Sequence, residues 1–264
     1  MAAVGREVFA DGKVLLAMVG LPARGKSFIS HKITNFLQWY AAPYGGDTSP
    51  GYVAHLSSSI LLGVRAEIFN VGTLRRTVSV EKQDSDFFSA TNAEARQKRE
   101  ELAFKVLGAA LDWLGECSGR RFETEVLIAS PLCNPLAEGG EVAIFDATNT
   151  THHRRNQVLA HCRDRSIAVQ CIFIESICDD AKVLDANLMV KVTNSPDYKD
   201  MPMEEALADL RKRIANYSAV YETIEDDEHS YIKLINMQSK VVCNRIFGNV
   251  AHLLAPFLMS IHIV

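Results

Sequence analysis

The chain has 264 residues, of which 48% are hydrophobic and 23% are charged, and its formal net charge is -4 with a pI near 6.1. This length and composition suit a single α/β domain with a large core. A negative net charge excludes the broad basic field of nucleic-acid-binding proteins, so we expect no nucleic-acid partner and only a local anion site. The six cysteines form no CxxC pair, which argues against a zinc site or a disulfide framework.

The N-terminus is charged and no apolar stretch reaches the roughly 18 residues of a membrane span. We therefore expect no membrane partner and a cytoplasmic protein.

The first half of the chain predicts two strands and two helices. The apolar run KVLLAMVG at 13–20 has the length and composition of a buried parallel strand, and a helix follows it directly. A second short strand is predicted at 63–72, and a long helix begins near Asn92, which can cap it. The buried positions expected on these two helices are Ile29, Ile33, Phe36 and Tyr40 on the first, and Ala103, Leu107, Ala110, Leu111 and Leu114 on the second.

The second half continues the alternation of strands and helices. Strands are predicted at 141–151, ending at Asp146, and at 167–176, ending at Glu175. A helix is predicted at 206–221, and strand character returns near 230–243. Alternating strands and helices imply βαβ units, which place helices on both faces of a mainly parallel central sheet. We expect one domain over 1–264, with probable insertions at 41–62 and 117–140.

The segment GLPARGKS at 20–27 matches the pattern G-x-x-x-x-G-K-[ST] between a predicted strand and a predicted helix. Backbone N–H groups of such a loop surround phosphate oxygens, and the following helix adds partial positive charge. Lys26 then reaches the β and γ phosphates, and the Ser27 hydroxyl binds Mg²⁺. The alternative is an accidental glycine turn with a solvated lysine. The motif predicts a P-loop NTPase-type three-layer fold, with ATP and Mg²⁺ as cofactors.

Asp146 is the candidate second metal ligand. A carboxylate at the carboxyl end of a parallel strand lies at the edge where ligands bind in open α/β sheets. The alternative is that Asp146 caps the next helix.

Several cations stand in positions that suggest a second phosphate site. Some lie in the first turns of a predicted helix, where the macrodipole disfavours cations, and others follow the ends of core strands. Singly each is typical of a solvated surface residue, but together they suggest an anion site. They are Arg75, Arg76, Arg96, Lys98, Arg99, Arg154, Arg155 and Arg213.

The ordered segments VGLPARGKS, FNVGTLRR, DFFSATNAEARQKR, VAIFDATNTT, FIESICDD, VKVTNSPDYKD, RKRIANY and SYIKLI resemble the kinase domain of the 6-phosphofructo-2-kinase/fructose-2,6-bisphosphatase family. The resemblance runs from about residue 13 to the C-terminus. It implies transfer of the γ-phosphoryl group of ATP to the 2-hydroxyl of fructose 6-phosphate, giving fructose 2,6-bisphosphate.

The resemblance also implies roles for individual residues. Sugar-phosphate contacts fall on Arg75, Arg99, Thr148, Arg154, Arg213 and Tyr217. Active-site positions fall on Lys26, Asp146 and Cys178, although Cys178 equally suits a small buried hydrophobic residue. Nucleotide contacts fall on Gly20, Leu21, Pro22, Ala23, Arg24, Gly25, Lys26, Ser27 and Phe28, and on Asn187, Leu188 and Lys191. Metal contacts fall on Ser27 and Asp146.

The sequence departs from the family in three respects. Val192 stands where an ungapped alignment puts the substrate-contacting lysine, and we assign that role to Lys191 instead. His152 and His153 replace a more charged segment and are expected to be exposed. An Arg-His-Gly phosphatase motif does not occur in these residues, so we expect no phosphatase domain.

The apolar segment 253–264 is expected to form an edge strand, to cover the domain, or to meet a second copy or another domain. Two other functions stay open from the residues: another small-molecule or polynucleotide 5'-end P-loop kinase, and a non-catalytic nucleotide-binding regulator.

Overall fold

The computed structural model describes residues 12–40, 64–78, 85–89, 91–115, 140–225, 229–236 and 239–261. Most of the two expected insertions, residues 41–62 and 117–139, lie outside this part. The elements within it are β1 (Lys13–Val19), α1 (Lys26–Tyr40), β2 (Ala66–Asn70), α2 (Val71–Val78), α3 (Ala93–Gly115), β3 (Val142–Asp146), α4 (His152–Arg163), β4 (Val169–Ile177), α5 (Ala181–Asn194), α6 (Met203–Ser218), β5 (Tyr231–Ile235), β6 (Lys240–Asn244) and α7 (Asn249–Ser260). Short 3₁₀ turns span Asp86–Phe88 and Pro196–Tyr198.

The strands form one sheet in the order β2-β3-β1-β4-β5-β6. All neighbouring pairs are parallel except β5 with β6, and Leu16 of β1 lies opposite Ile144 of β3 and Ile172 of β4. The mainly parallel sheet confirms the predicted fold class. Since parallel strands end at the same edge, the segments after β1, β2, β3 and β4 meet there.

Helices cover both faces of the sheet. Successive side chains of a strand point to opposite faces, so Leu16 and Met18 of β1 pack with α1 and α7, while Leu15 and Ala17 pack with α3 and α4. The result is the expected three-layer arrangement, in which the buried β1 holds its following loop against a rigid core.

The helical predictions largely match the structure. Ile29 and Ile33 are buried in α1, and Asn92 caps α3 by accepting a hydrogen bond from the Ala95 N–H at 3.0 Å. The predicted stripe of α3 is buried from Ala103 to Leu114. Phe36 is partly buried, and its ring stacks on that of Phe257 of α7 at 4.0 Å between centroids.

Three element predictions need correction. The second strand ends at Asn70 and Gly72 lies in α2, since the chain turns directly into a helix. Glu175 is not the last residue of its strand: β4 continues to Ile177, and Glu175 is fully buried. The segment from 253 to 260 is helical and packs against α1, so the edge-strand alternative is wrong and the covering alternative holds. No helix in the described ranges is long and apolar enough to cross a membrane.

Candidate active site

The loop after β1 is held tightly between the ends of β3 and β4. The N–H of Gly20 donates to the Thr148 carbonyl at 3.0 Å, and the hydroxyl of Ser176 donates to the Arg24 carbonyl at 2.5 Å. Gly20 has a φ of 135°, and a Cβ added there would lie 2.6 Å from the Ser176 carbonyl oxygen. Only glycine fits this approach, so the first glycine of the motif fixes the position of the loop.

Lys26 places a buried positive charge at the centre of this loop. Its side chain is buried, and its Nζ donates to the Leu21 carbonyl at 2.7 Å. Burial lowers the pKa of Lys26 to about 8; nearby Asp146 opposes this shift, while Lys191 and Arg24 add to it. An anion in the loop would favour the charged form of this lysine.

Asp146 joins the loop to the neighbouring strands. Its Oδ2 accepts hydrogen bonds from the Ser27 hydroxyl at 2.7 Å and from Asn70 Nδ2 at 2.6 Å. The cap of α4 is Thr151, whose hydroxyl oxygen accepts from the Arg154 N–H at 3.2 Å. The helix-cap alternative for Asp146 is therefore wrong.

The Ser27 hydroxyl and the Asp146 carboxylate suit a magnesium ion. Mg²⁺ prefers oxygen ligands, and in phosphate sites it uses one or two protein side chains together with water and phosphate oxygens. Within the described ranges no group of three or more His, Cys, Asp or Glu side chains forms an alternative metal site. The residues present thus fit Mg²⁺ bound jointly with a nucleotide.

A cavity of about 1770 Å³ runs from this loop to α6. Eight Lys and Arg residues and four acidic residues line it, which makes it strongly positive on an acidic chain. The basic residues are Lys26, Arg75, Arg76, Arg96, Arg99, Arg154, Lys191 and Arg213. Thr148 and Tyr217 also line it, so every expected sugar-phosphate contact shares one cavity with the loop.

Arg99 and Arg154 form no ion pair with another described residue, although the nearby charge of Glu100 acts to raise the pKa of both. Arg99 donates to the Phe87 carbonyl and, at 3.4 Å, to the Ser89 carbonyl. The Arg154 guanidinium lies 4.3 Å from the ring centre of Phe104, and its Nη1 is buried without a hydrogen-bond partner. Burial lowers the pKa of both groups. An anion that entered the cavity would give these two guanidinium groups a charged hydrogen-bond partner.

Arg75 and Arg213 come together from α2 and α6. Both contact the carboxylate of Asp197, at 2.5 Å and 3.2 Å, and Arg213 also contacts Asp209 at 2.6 Å. The ring of Phe88 lies 5.3 Å from one guanidinium and 4.4 Å from the other. These two arginines are therefore fixed in place by acidic and aromatic neighbours.

The departure at Lys191 and Val192 has a simple structural account. Val192 is buried and packs with Leu188, Tyr198 and Leu210, whereas Lys191 lines the cavity. Burial lowers the pKa of Lys191, and Asp146 partly opposes this. One residue along a helix is a rotation of about 100°, so only one of the two positions can reach the cavity. Lys191 is the one that does.

Several expected site residues do not line the cavity with their side chains. Gly20, Leu21 and Arg24 contribute backbone to the loop, and Leu188 belongs to the packed cluster between α5 and α6. Asn187 lies on the cavity. Cys178 is buried outside the lining, and burial raises the pKa of its thiol, which favours the small-hydrophobic interpretation.

Two of the candidate cations play other roles. Arg155 is fully buried and donates to the backbone carbonyls of Glu222 at 2.8 Å and Asn149 at 3.5 Å, so it is not part of a phosphate site. Lys98 is exposed and pairs with Glu94 at 2.7 Å. His152 and His153 are exposed, as expected.

Sequence reasoning missed Asn70, Phe88, Asn149 and Asp197. Asn70 could have been found, because it ends a strand at the same edge as Asp146 and lies opposite it in the sheet. Asn149 donates from Nδ2 to the Met18 carbonyl at 2.8 Å and ties the β3 loop to β1. Nothing local in the sequence marks Phe88 or Asp197, which act through contacts with distant elements.

The fold and the loop define a P-loop α/β protein of the NTPase type. The model of the 6-phosphofructo-2-kinase family matches residues 3–46, 48–121 and 131–264. The chain belongs to this family.

Curated relatives carry corresponding names. "6-phosphofructo-2-kinase 1" of Saccharomyces cerevisiae is 36% identical over 256 residues, which are 95% of this chain and 26% of the relative. "6-phosphofructo-2-kinase/fructose-2,6-bisphosphatase 3" of Homo sapiens is 32% identical over 257 residues, which are 96% of this chain and 41% of the relative. The chain thus spans less than half the length of either. The solved structure of Chaetomium thermophilum Kti12 in complex with ADP-AlF3 matches with a TM-score of 0.47 and 14% identity, over 86% of this chain and 91% of that one.

Proposed function

We propose that this chain transfers the γ-phosphoryl group of MgATP to the 2-hydroxyl of fructose 6-phosphate and releases ADP and fructose 2,6-bisphosphate. The observation that carries the proposal is the shared cavity: Lys26, Ser27 and Asp146 form one end, and Arg99 and Arg154 line the same space. Membership of the 6-phosphofructo-2-kinase family supports the same reaction.

The nucleotide end is assigned to the loop and its neighbours. Backbone N–H groups of 23–28 surround the phosphates, and Lys26 lies against the β and γ phosphates. Ser27 and Asp146 would hold Mg²⁺, which when bound would neutralise part of the negative charge of the phosphates. Asn187 and Lys191 on α5 lie on the same cavity and complete this end.

The sugar-phosphate end is assigned to the basic residues farther along the cavity. Arg99 and Arg154, which form no ion pair with another described residue, make the first contacts with the 6-phosphate. Arg75 and Arg213, which the family resemblance also assigns to the sugar phosphate, lie in the same lining. Thr148, Tyr217 and Lys191 surround the sugar. ATP and the sugar phosphate are both anions and repel each other. The excess positive charge of the cavity offsets this repulsion.

The chemistry then needs little beyond positioning. The 2-oxygen of the sugar forms a bond to the γ-phosphorus while the bond from that phosphorus to the bridging oxygen of ADP breaks, and the hydroxyl proton passes to water. Lys26 and the arginines stabilise the charge spread over the transferred group, so alignment and charge neutralisation account for most of the rate.

The deciding experiment incubates the protein with MgATP and fructose 6-phosphate and analyses the product for an acid-labile 2-phosphate. We expect such a product, and we expect Lys26→Ala to abolish it. ATP binding without this product would reject the proposal. Product from other acceptors, such as a polynucleotide 5' end, would identify a different P-loop kinase, and turnover equal to that of the Lys26→Ala variant would identify a non-catalytic regulator.

A further inference from the structure

Asp197 occupies a position between two arginines of the sugar-phosphate end. It lies in the 3₁₀ turn Pro196–Tyr198, directly after α5. A single oxygen, Oδ2, contacts Arg75 Nη2 at 2.5 Å and Arg213 Nη1 at 3.2 Å. These donors come from α2 and α6, so one carboxylate joins three segments that are distant in sequence.

The charges around Arg75 and Arg213 differ from those around Arg99 and Arg154. Arg75 and Arg213 face the carboxylates of Asp197 and Asp209, so this group of four carries no formal net charge. Arg99 and Arg154 form no ion pair within the described ranges. The cavity therefore contains two guanidinium groups that form no ion pair with a described residue and two that are paired with carboxylates.

The contacts of Asp197 are shielded from water. The side chains of Arg75, Arg213 and Asp197 are 11%, 7% and 12% exposed. Burial acts to raise the pKa of Asp197, but Arg75 and Arg213 together bring it below its ordinary value, so the carboxylate is ionised at neutral pH. Solvent screening of these contacts is weak, and exchanging them for contacts with another anion has a substantial cost.

We propose that Asp197 is an internal counter-ion that competes with the phosphate group of the sugar substrate for Arg75 and Arg213, and that it thereby sets the affinity of this end of the cavity. The inference deepens the proposed function and rests on it. A phosphate and Asp197 present the same kind of acceptor oxygen to the same N–H donors, so the cost of releasing Asp197 is subtracted from the binding energy.

The physical consequence is weaker binding of substrate and product alike. Eight basic residues around one cavity would hold a sugar bisphosphate very tightly, and uniformly tight binding does not speed the chemical step. A counter-ion built into the site keeps the product free to leave.

The test compares Asp197→Asn with the wild-type chain. Asparagine keeps the shape and one acceptor oxygen but removes the charge. We expect KM for fructose 6-phosphate, and the Kd for inorganic phosphate measured with the nucleotide loop saturated by MgADP, each to fall about tenfold, with KM for ATP unchanged. The matched control is Asp112→Asn, which neutralises a carboxylate that pairs with Arg165 away from the cavity and should change none of these values.

An Asp197 that only supported the structure would give the opposite sign, because its loss would displace the arginines. A raised or unchanged KM in a folded Asp197→Asn protein therefore overturns the inference. If the variant does not fold, a crystal structure of the wild-type chain with fructose 6-phosphate decides: Arg75 and Arg213 must leave Asp197 for the phosphate, and persistence of both ion pairs overturns the inference. Failure of the wild-type chain to phosphorylate fructose 6-phosphate would refute the proposed function alone, since the phosphate Kd values still report on Asp197.

Discussion

The buried environment of Lys26 predicts how stability and ATP binding depend on pH. Its pKa of about 8 lies below the ordinary value of 10.5 because the side chain is buried. The unfolded chain therefore binds more protons than the folded chain between these two values, and the free energy of unfolding contributed by Lys26 rises with pH across that window. Bound phosphate groups favour the charged form and raise the pKa of Lys26 again.

ATP binding should consequently take up a proton in a pH-dependent way. For each ATP bound, we expect almost no proton to be taken up at about pH 7, about half a proton at pH 8 and nearly one proton at pH 9. Isothermal titration calorimetry in buffers of different ionisation enthalpy measures this number. Lys26→Arg, which stays charged throughout, should show no uptake, and an unchanged profile in this variant would assign the proton to another group.

Gly20 allows a second residue-scale prediction. Gly20→Ala forces a Cβ to within 2.6 Å of the Ser176 carbonyl oxygen at a φ of 135°, so we expect the free energy of unfolding to fall by about 2 kcal/mol or more and ATP binding to weaken. The control is Gly108→Ala in α3, where the nearest atom in the surroundings is Arg165 Nη2 at 3.8 Å. Alanine should stabilise this helix by up to about 1 kcal/mol. Urea unfolding of both variants checks the contrast, and equal effects would show that the loop tolerates a side chain.

At the scale of elements, α4 presents two adjacent arginines with different roles. Arg155 is fully buried and donates to backbone carbonyls of the segment after α6, whereas Arg154 lines the cavity. We expect Arg155→Met to lower the free energy of unfolding by about 3 kcal/mol, because it leaves buried carbonyl groups unpaired. Arg154→Met should raise KM for fructose 6-phosphate at least tenfold with little effect on stability. Equal losses of stability in urea unfolding would contradict this division.

The same pair of residues shows what the sequence could predict about elements. Apolar runs and helical stripes identified the strands and most helices because burial dictates residue type. The pattern placed Arg154 and Arg155 together after β3, but it did not show which one faces the core, since that depends on the loop at 219–225 that Arg155 contacts. Likewise, the apolar composition of 253–264 was compatible with an edge strand, with a segment that covers the domain and with a contact to a neighbour, and only the structure shows that 253–260 forms a helix that packs on α1.

At the scale of the whole molecule, the site is assembled from the carboxyl ends of the parallel strands and from helices that reach over them. The P-loop and Asp146 were predictable because the order of strand, loop and helix is local in sequence. Asp197 and Phe88 were not, since their roles arise where α2, α3 and α6 converge above the sheet. Local chemistry is thus readable from the sequence, and the balance of charges across the cavity requires the fold.

The balance of charges across the cavity predicts how association with an anionic substrate depends on salt concentration. The chain has a formal net charge of -4, yet its cavity is lined by eight basic and four acidic residues, so the positive field is confined to the cavity. Such a field attracts an anionic substrate at low ionic strength and weakens as the Debye length falls below about 10 Å near 0.1 M salt. We expect kcat/KM for fructose 6-phosphate to fall about tenfold between roughly 20 and 300 mM potassium chloride.

Variants of two cations on α3 can distinguish the effect of the field inside the cavity from the effect of the net charge of the protein. Arg96 is exposed and lines the cavity, while Lys98, two residues further along α3, pairs with Glu94. Arg96→Gln should reduce the slope of log kcat/KM against the logarithm of salt concentration, and Lys98→Gln should leave it unchanged, although both remove one positive charge. Because a confined field acts through the residues that line the cavity, equal slopes in the two variants would mean that net charge, and not the cavity, attracts the sugar phosphate.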